Sequence, residues 1–437
     1  MKEAQGYGEE FQMRLTRRDF SKLAGAGVFA ATTPLVFSPA IAQDKPLKIG
    51  IIAPRSGAAG TAGECGIRAV QWAAERMNKN GGIAGRKIDL VIEEETNPKD
   101  TIERFRRLIL QEKVEAVHGL ISTGVSLGVA PVAEEEQALT VMWDGTTQDG
   151  VKEMMPNPRY VFRSTDNECE AVMGSLLAIK HWKGQFVTVA GINPDYSYGR
   201  NNFAAFQAIM KKYGVKIDIV ADQWPKVGTL DLTSHVAALK AAKPDLVFSS
   251  LLFADLPIFM KTAHGAGLMD GKTKFVFPGA GFQHTLLKKE FTPEGMIFGH
   301  NTLYFNLDNP TPLQKQFVQE YEAKYKDYPH WEADRAYFAM EIYKVGVENA
   351  YKAKNAWPSN EEIINTMEGL KVESLGGPAQ MRKDHIADQT FYQGMTTHKN
   401  KYDFPTLTDV TKMYSDQLQK PQGMDFWKWI ETAQIKL

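Results

Sequence analysis

The sequence predicts an α/β protein built from two doubly wound parallel sheets. Short apolar strands alternate with amphipathic helical stretches in two successive series, one starting at Leu47 and the other near Asp166. Such alternation produces parallel sheets because each right-handed crossover lays a helix against the sheet. The chain has 437 residues, more than one hydrophobic core usually supports. Two lobes, each with its own sheet, are therefore expected.

The first series predicts a strand at 47–53 followed by a helix. Ile67, Val70, Ala74 and Met77 recur at the helical period after that strand. The pattern then continues through the rest of the series. Further strands are predicted at 88–92, 114–120 and 139–142, and a further helix at 129–137.

The second series repeats the pattern from Asp166 onward. Its helices are predicted at 171–182, 202–213 and 232–241, and its strands at 186–190, 215–220 and 245–250. Beyond Gly299, a helical region over 311–353 carries an aromatic stripe, which is typical of a core. The aromatic stretch 425–430 is expected to dock onto a lobe.

Two arginines and an apolar stretch predict an export signal. Arg17-Arg18 stand in the pattern T-R-R-x-F-x-K, which indicates the twin-arginine route, although paired arginines also occur in ordinary signals. Ala40-Ile41-Ala42 ends the stretch with the small-x-small pattern that a signal peptidase cleaves. Pro34 interrupts the stretch, which favours a cleaved signal over an anchor. We expect residues 1–42 to be removed near Ala42, leaving a periplasmic protein that does not span the membrane.

Charge and composition exclude several partners. The formal net charge is −1, so there is no electrostatic footprint for nucleic acid or an anionic membrane. The nine histidines are scattered without metal-ligand spacing, and neither a metal nor another cofactor is expected. Cys65 and Cys169 are the two cysteines of the sequence. An oxidising compartment permits a bridge between them, and the sequence leaves their pairing open.

The sequence favours a binding protein over an enzyme. It contains no H-E-x-x-H and no G-x-x-x-x-G-K-[ST] pattern. Gly279-Ala280-Gly281 begins like a dinucleotide-binding loop, but His284 stands where the third glycine belongs. A nucleophilic cysteine is the remaining enzyme alternative, and a buried cysteine is the commoner case.

Four loops after predicted strands carry glycine and hydroxyl residues. In an open α/β sheet, the carboxyl ends of the strands line the crevice where ligands bind. Arg55 and Ser56 lie in the first loop, whose glycines suit either an anion at a helix N-terminus or a tight turn. Ser122 and Thr123 lie in the second loop and could hold a carboxylate, while Ser126 is expected to cap the next helix.

The third and fourth loops complete the predicted crevice. Trp143, Gly145, Thr146 and Thr147 follow the last strand of the first series and combine an apolar wall with polar groups. Tyr198 follows the first strand of the second series. It can therefore meet a ligand from the opposite lobe.

With these loops in order, the chain resembles the periplasmic solute-binding proteins of ABC importers, of the branched-chain amino acid (leucine/isoleucine/valine) type. The resemblance extends from Leu47 to beyond Gly377. Short motifs in a shared order carry it: Ser56-Gly57, Asn80-Gly81-Gly82-Ile83-Ala84-Gly85, Asn97-Pro98-Lys99, Tyr196-Ser197-Tyr198-Gly199 and His264-Gly265-Ala266-Gly267-Leu268. It implies the type I periplasmic binding protein fold, in which a three-strand hinge joins two lobes.

The resemblance also implies how the chain divides and what it binds. Lobe 1 would comprise 47–165 and 300–372, and lobe 2 would comprise 166–299 and 373–437, with the ligand cleft between them. The protein would capture a small solute by lobe closure and deliver it to an ABC permease and its ATPase. The alternative is an exported sensor that presents its solute to a signalling partner.

The resemblance implies a carboxylate site as well. In that family a hydroxyl and backbone groups hold the ligand's α-carboxylate, which carries over to Ser122 or Thr123, to the Gly145 backbone and to Thr147. Tyr198 would close over the ligand from the other lobe.

Departures from the family pattern narrow the expected solute. Amino acid binders of this type hold the ligand's ammonium with an acid where this chain has Gly279. Burying an unpaired ammonium is costly, and Asp144 is the alternative partner for it. Arg55 occupies a position that is usually apolar, and a family tyrosine before Asp255 is replaced by Leu252 or Phe253. We expect a small carboxylate-bearing solute, amino acid-like or aromatic.

Overall fold

The computed structural model describes residues 45–166, 168–300, 302–305 and 310–436. The predicted export signal, residues 1–42, lies outside this range together with its cleavage position near Ala42. Within the described residues, no helix is both long enough and apolar enough to cross a membrane. The fold is α/β, as predicted, with two large sheets flanked by helices and one small sheet.

The first sheet is parallel throughout and has the strand order β2-β1-β3-β4-β5. Its strands are β1 (Leu47–Ala53), β2 (Ile88–Glu94), β3 (Ala116–Gly119), β4 (Thr140–Met142) and β5 (Val161–Arg163). The helices that follow the first four strands are α1 (Gly60–Lys79), α2 (Pro98–Arg107), α3 (Thr123–Glu135) and α4 (Gln148–Met154). Ile49 and Ile51 enter the core on one face of β1, and Ile52 enters the core on the other. An apolar run therefore suits this central strand, since both of its faces are covered.

The second sheet has the order β15-β14-β10-β9-β8-β6-β7. Its parallel strands are β6 (Thr188–Ile192), β7 (Asp218–Gln223), β8 (Leu246–Phe248), β9 (Lys274–Phe277) and β10 (Ile297–His300). Its helices are α5 (Cys169–Trp182), α6 (Ser197–Lys212), α7 (Thr233–Ala242) and α8 (Asp255–Gly265). Two antiparallel strands, β14 (Thr390–Thr397) and β15 (Thr406–Tyr414), extend the sheet beyond β10.

The C-terminal part returns to both sheets. It contains α9 (Pro312–Tyr325), α10 (Glu332–Lys354), α11 (Asn360–Met367) and a small sheet of β11 (Lys371–Ser374), β12 (Gly377–Met381) and β13 (Ala387–Asp388). The helical region predicted over 311–353 is two helices, because Lys326 takes a left-handed conformation that ends α9. Leu375 and Met381 pack into the core of the first sheet, and the chain rejoins the second sheet at β14.

The aromatic stretch near the C-terminus forms α12 (Phe426–Thr432). Phe426, Trp429 and Ile430 are buried in a core of the second sheet. Asp425 caps the helix by accepting a hydrogen bond from the Lys428 backbone. The predicted docking of this stretch onto a lobe is confirmed.

Candidate functional site

A closed cavity lies where the carboxyl ends of β4 and β5 face those of β6 and β9. It is lined by Asp144, Thr146, Thr165, Asp166, Glu168, Glu170, Tyr198, Phe282, Trp331 and Arg335. The first sheet contributes the loops after β4 and β5, and the second sheet contributes Tyr198 and Phe282. Trp331 and Arg335 come from the start of α10. The cavity measures about 10 Å³, room for about one water molecule. A solute can enter only if the two sides separate.

Arg335 is the cation of this cavity, and only 2% of its surface is exposed. Its Nη2 donates to Oδ2 of Asp166 at 3.0 Å, and its Nε lies 3.8 Å from Oδ2 of Asp144. The other oxygen of Asp166 accepts a hydrogen bond from the Cys169 backbone at 3.0 Å. Asp166 is therefore fully engaged and holds the guanidinium in place.

Several buried donors at the cavity have no hydrogen-bond partner within the described part of the chain. They are Nε and Nη1 of Arg335, Oγ1 of Thr146 and Nε1 of Trp331. Thr146 is 6% exposed and Trp331 is 1% exposed. A buried donor without a partner costs free energy, so these groups favour an acceptor such as a carboxylate between them.

Three further carboxyl groups line the same cavity: those of Asp144, Glu168 and Glu170. Burial raises the pKa of Glu170 to about 8 and also raises the pKa values of Asp144 and Glu168. Oδ2 of Asp144 and Oε2 of Glu168 have no hydrogen-bond partner among the described residues. The lining residues therefore include unpartnered carboxyl oxygens as well as unpartnered donors.

Aromatic rings form the remaining wall. Phe282 stacks on Trp331 with ring centroids 4.6 Å apart, and Phe253 meets Phe282 edge-on at 5.3 Å. The Arg335 guanidinium lies 5.1 Å from the centroid of the Trp331 ring. A Cβ atom added at Gly279 would lie 3.3 Å from the Tyr198 hydroxyl. The two predicted residues Phe253 and Gly279 thus lie directly beside the lining residues.

Of the other predicted residues, Thr146 and Tyr198 line the cavity itself. Trp143, which directly precedes Asp144, is fully buried and packs so tightly on α1 that a Cβ atom at Gly66 would lie 2.5 Å from its ring. Thr147 is buried and caps α4, because its Oγ1 accepts a hydrogen bond from the Gly150 backbone at 3.1 Å.

The second loop differs from its predicted arrangement. Ser122, not Ser126, is the residue that precedes α3, and its backbone N–H donates to Oε1 of Glu95 at 2.8 Å. Thr123 is the first residue of the helix. The prediction that Ser126 caps the helix is wrong because the helix begins three residues earlier, directly after the loop. Gly145 has a φ of +73° and lies against Ser126, leaving no space for a Cβ atom.

Gly124-Val125-Ser126-Leu127-Gly128 has the G-x-S-x-G spacing of a hydrolase nucleophile. Ser126 is fully buried inside α3, however, and its hydroxyl has no partner in the described residues that could act as a base. The side chain lacks the exposure and the hydrogen-bonded base that nucleophilic catalysis needs. In this chain the five residues form the first turns of α3.

Arg55 and Ser56 lie outside the closed cavity. They line a separate surface cavity of about 390 Å³ with Arg68, Tyr321 and other residues. Nε of Arg55 is 3.7 Å from a carboxylate oxygen of Glu64, and the Ser56 hydroxyl donates to Glu94 at 2.7 Å. The first loop therefore faces solvent in this closed form.

The two cysteines are both buried and free. Cys65 belongs to a core of the first sheet and Cys169 to a core of the second. Burial raises the pKa of Cys65 to about 11, which suppresses the thiolate needed for nucleophilic attack. No group of three or more potential metal ligands occurs among the described residues.

Sequence reasoning missed most of the charged lining. Asp166 follows β5, a three-residue strand too short to stand out as an apolar run. Glu168 and Glu170 lie at the start of α5, and Arg335 lies in the first turns of α10. Helix positions do not reveal from sequence which residues face a cleft between sheets. A buried charge cluster of this kind becomes visible only in three dimensions.

The chain matches a family model described as "Periplasmic binding protein" over residues 46–400. It is 28% identical to Leu/Ile/Val-binding protein homolog 3 of Brucella melitensis over 334 residues, which cover 75% of this chain and 85% of that protein. It is 25% identical to Leu/Ile/Val-binding protein BraC3 of Rhizobium johnstonii, over 74% of this chain and 84% of that protein.

Solved structures share the fold. A solute binding protein of an ABC transporter from Rhodopseudomonas palustris, in complex with 3,4-dihydroxybenzoic acid, superimposes with a TM-score of 0.72 at 20% identity, covering 84% of this chain and 97% of that one. The branched-chain amino acid transporter substrate binding protein LivJ of Streptococcus pneumoniae, in complex with isoleucine, gives a TM-score of 0.68 at 19% identity, covering 84% and 100%.

Proposed function

This chain belongs to the periplasmic binding protein family, and from that premise we propose that it captures a small carboxylate-bearing solute for an ABC importer. The solute would be amino acid-like or an aromatic acid. It would bind between the two lobes and be delivered to a permease driven by an ATPase. The proposal includes export to the periplasm with removal of residues 1–42.

The proposal that the solute has a carboxylate rests on one observation, the hydrogen-bond donors at the closed cavity that have no partner in the described residues. Nε and Nη1 of Arg335, with the Thr146 hydroxyl and the Trp331 indole N–H, are buried without a hydrogen-bond partner in the described residues. The guanidinium is a rigid fork of donors, and Nε and Nη1, which lie on different edges of it, can each donate a charge-assisted hydrogen bond to a carboxylate oxygen. A bound carboxylate would therefore satisfy several of these donors at once.

Similar proteins support this class of solute. The related structures from Rhodopseudomonas palustris and Streptococcus pneumoniae hold 3,4-dihydroxybenzoic acid and isoleucine, both of which have a carboxylate. The ring stack of Phe282 and Trp331 offers an apolar surface for either an aromatic ring or an aliphatic side chain.

Contacts across the cleft support capture by closure. Asp149 of α4 accepts hydrogen bonds from Asn201 of α6 at 2.7 Å and from the Trp427 indole of α12 at 3.0 Å. Lys152 pairs with Asp425 at 3.0 Å. We propose lobes of 47–165 with 300–372, and 166–299 with 373–437, except that the stretch from Leu375 to Ala387 packs back into the core of the first sheet and moves with that lobe. The contacts of Asp149 and Lys152 then run between the two lobes. Separation of the lobes would break the contacts and open the cavity.

Arg335→Lys tests the carboxylate site. Lysine keeps a positive charge beside Asp166 but loses the fork, so the affinity for a carboxylate ligand should fall by tenfold or more while the protein stays folded. Solutes would be found by thermal shift with amino acids, benzoates and the corresponding amides, and affinities measured by calorimetry. Arg106→Lys, at an exposed surface pair, is the matched control. Binding of uncharged amides alone, or unchanged affinity in Arg335→Lys, would refute the proposal.

A further inference from the structure

We propose that a second cavity, separate from the solute cleft, binds a small organic anion that has an apolar body. The cavity measures about 570 Å³ and lies between α4, the end of β5, the loop from β12 to β13 and the segment 420–427, which leads into α12. We call it the lateral cavity. None of the described residues that line it also lines the closed cavity of the solute site. Its volume is in the range of small-molecule sites.

Cations from two sides meet at the lateral cavity. Arg163, the last residue of β5, is 2% exposed, and Lys383 lies in the loop from β12 to β13. Burial lowers the pKa of Arg163 to about 10, which leaves the guanidinium charged at neutral pH. Lys420 comes from the other side and is half-buried. Burial lowers the pKa of Lys420, Asp384 opposes this effect, and the positive charges of Arg163 and Arg382 add to it. The Lys420 ammonium therefore lies close to other cations.

The acids of the lateral cavity are already engaged. Three carboxylates line it, and both oxygens of each accept hydrogen bonds from the protein. The donors are two nitrogens of Arg382 for Asp384, Lys152 and the Lys428 backbone for Asp425, and Asn201 and Trp427 for Asp149. By contrast, Lys383 and Lys420 form no ion pair with any residue that the structure describes. An anion would pair with these lysines without displacing a carboxylate.

A neutral donor points to an acceptor in the same cavity, independently of charge. Gln148 is the first residue of α4, lines the lateral cavity and is 7% exposed. Its Nε2 is buried without a hydrogen-bond partner in the described part of the chain, while its backbone N–H donates to Glu168 at 3.2 Å. A buried donor without an acceptor costs free energy. An oxygen of a bound anion would supply the missing acceptor.

Apolar side chains form much of the remaining lining. They include Val151, Met155, Pro156, Ile386 and Met424. Met155 is 4% exposed, whereas Met424 is 41% exposed, and methionine side chains adapt readily to the shape of a ligand. An inorganic anion would leave this apolar surface in contact with water. A ligand with an aromatic or aliphatic body would cover it, which is favourable.

The lateral cavity also lies between the two proposed lobes. Arg163 and Lys383 belong to the side of the first sheet, because Leu375 and Ala387, on either side of Lys383, pack into the core of that sheet. Lys420 belongs to the other lobe. Closure brings these like charges together, and an anion between them would pair with both sides. Occupation of the lateral cavity should therefore favour the closed form and tighten solute binding. This coupling rests on the proposed function, whereas the anion site itself does not.

Naphthalene-1-sulfonate is a suitable probe, because it joins a permanent negative charge to an apolar ring system. Naphthalene-1-sulfonamide has the same rings without the charge, and inorganic sulfate has charge without the rings. In calorimetry, naphthalene-1-sulfonate should bind more tightly than either by about tenfold or more. Equal binding of the sulfonamide would overturn the role of the cations, and equal binding of sulfate would overturn the role of the apolar wall. Absence of binding by naphthalene-1-sulfonate would overturn the site.

Variants locate the bound probe. K420Q should lower the affinity for naphthalene-1-sulfonate by about fivefold or more, and M424Q by about threefold. K272Q, at an exposed lysine on a distant loop of the second sheet, is the matched control and should leave the affinity unchanged. Unchanged affinity in K420Q would overturn the proposal. Loss of affinity in R335K but not in K420Q would show that the probe occupies the solute cleft, which also overturns it. Far-ultraviolet circular dichroism and melting temperature establish that each variant is folded.

Coupling between the two sites is measured with a cleft solute that the thermal-shift screen identifies. Saturating naphthalene-1-sulfonate should raise the affinity for that solute by about fivefold or more in the unmodified protein, and much less in K420Q. Unchanged solute affinity with the probe bound would overturn the coupling. Failure of every cleft solute to bind would refute the proposed function, and the titrations with naphthalene-1-sulfonate would still decide whether the lateral cavity binds anions.

Discussion

Thr146 and Thr147 are adjacent but should respond differently to loss of their hydroxyl groups. Thr146→Val removes a buried donor that has no partner in the described residues and preserves the side-chain shape. Since an unpaired buried hydroxyl is unfavourable, the free energy of unfolding should stay constant or rise slightly. A hydrogen bond to a charged group contributes about 1.5 to 3 kcal/mol. Affinity for a carboxylate solute should therefore fall by about 10-fold to 150-fold.

Thr147→Ala should instead act on stability. Its hydroxyl oxygen accepts the Gly150 N–H at 3.1 Å and caps α4, and loss of such a cap costs about 1 kcal/mol. Denaturant unfolding and calorimetry on both variants would separate the two effects, with Thr408→Val at an exposed strand position as the control. If Thr147→Ala lost affinity without losing stability while Thr146→Val bound normally, the assignment of the two hydroxyls would be reversed.

Two further predictions concern closure and pH. Asp149→Ala should weaken solute binding by about fivefold or more, because it removes two hydrogen bonds across the cleft that are worth about 0.5 to 1.5 kcal/mol each. Calorimetry would compare this variant with Glu153→Ala, which removes an exposed acid from the same helix. Equal losses of affinity in the two variants would contradict the prediction. In the solute-free protein, burial raises the pKa of Glu170 to about 8, so the folded state binds a proton that the unfolded state has lost. The melting temperature should therefore fall as pH rises from 7 to 9, a range chosen because it lies above the ordinary pKa of histidine. In E170Q the melting temperature should depend less steeply on pH. The same dependence on pH in E170Q and in the unmodified protein would contradict the expectation.

The sheets could be predicted where the strands are buried on both faces. The bounds of β1 agree with the prediction, because an apolar run needs no particular partner to be recognised. By contrast, β5 has three residues, and β14 and β15 pair antiparallel beyond the parallel strands. Pairing of this kind is decided by contacts between distant segments, so the local pattern does not indicate it.

Some residues of the candidate site could also be predicted from the sequence, and others could not. Thr146 and Tyr198 could be predicted because each lies in a loop after a parallel strand, and such loops converge at one edge of a sheet. Glu170 and Arg335 lie on helices, where charged residues normally face solvent. Their burial results from the approach of α5 and α10 to the same cleft. No periodicity within either helix distinguishes a charge that faces a cleft from one that faces water.

The unpartnered atoms also bear on how a solute would drive closure. While the lobes are closed, the Arg335 donors and one oxygen of Glu168 are buried together without hydrogen-bond partners in the described residues. In an open form, water would satisfy both, so closure of the empty protein is opposed by loss of that hydration. A solute that pairs with both sets removes this penalty in the closed form only, and a ligand shifts an equilibrium by the difference in its affinity for the two states. The cross-cleft hydrogen bonds of Asp149 then add to a closure that the solute has made favourable.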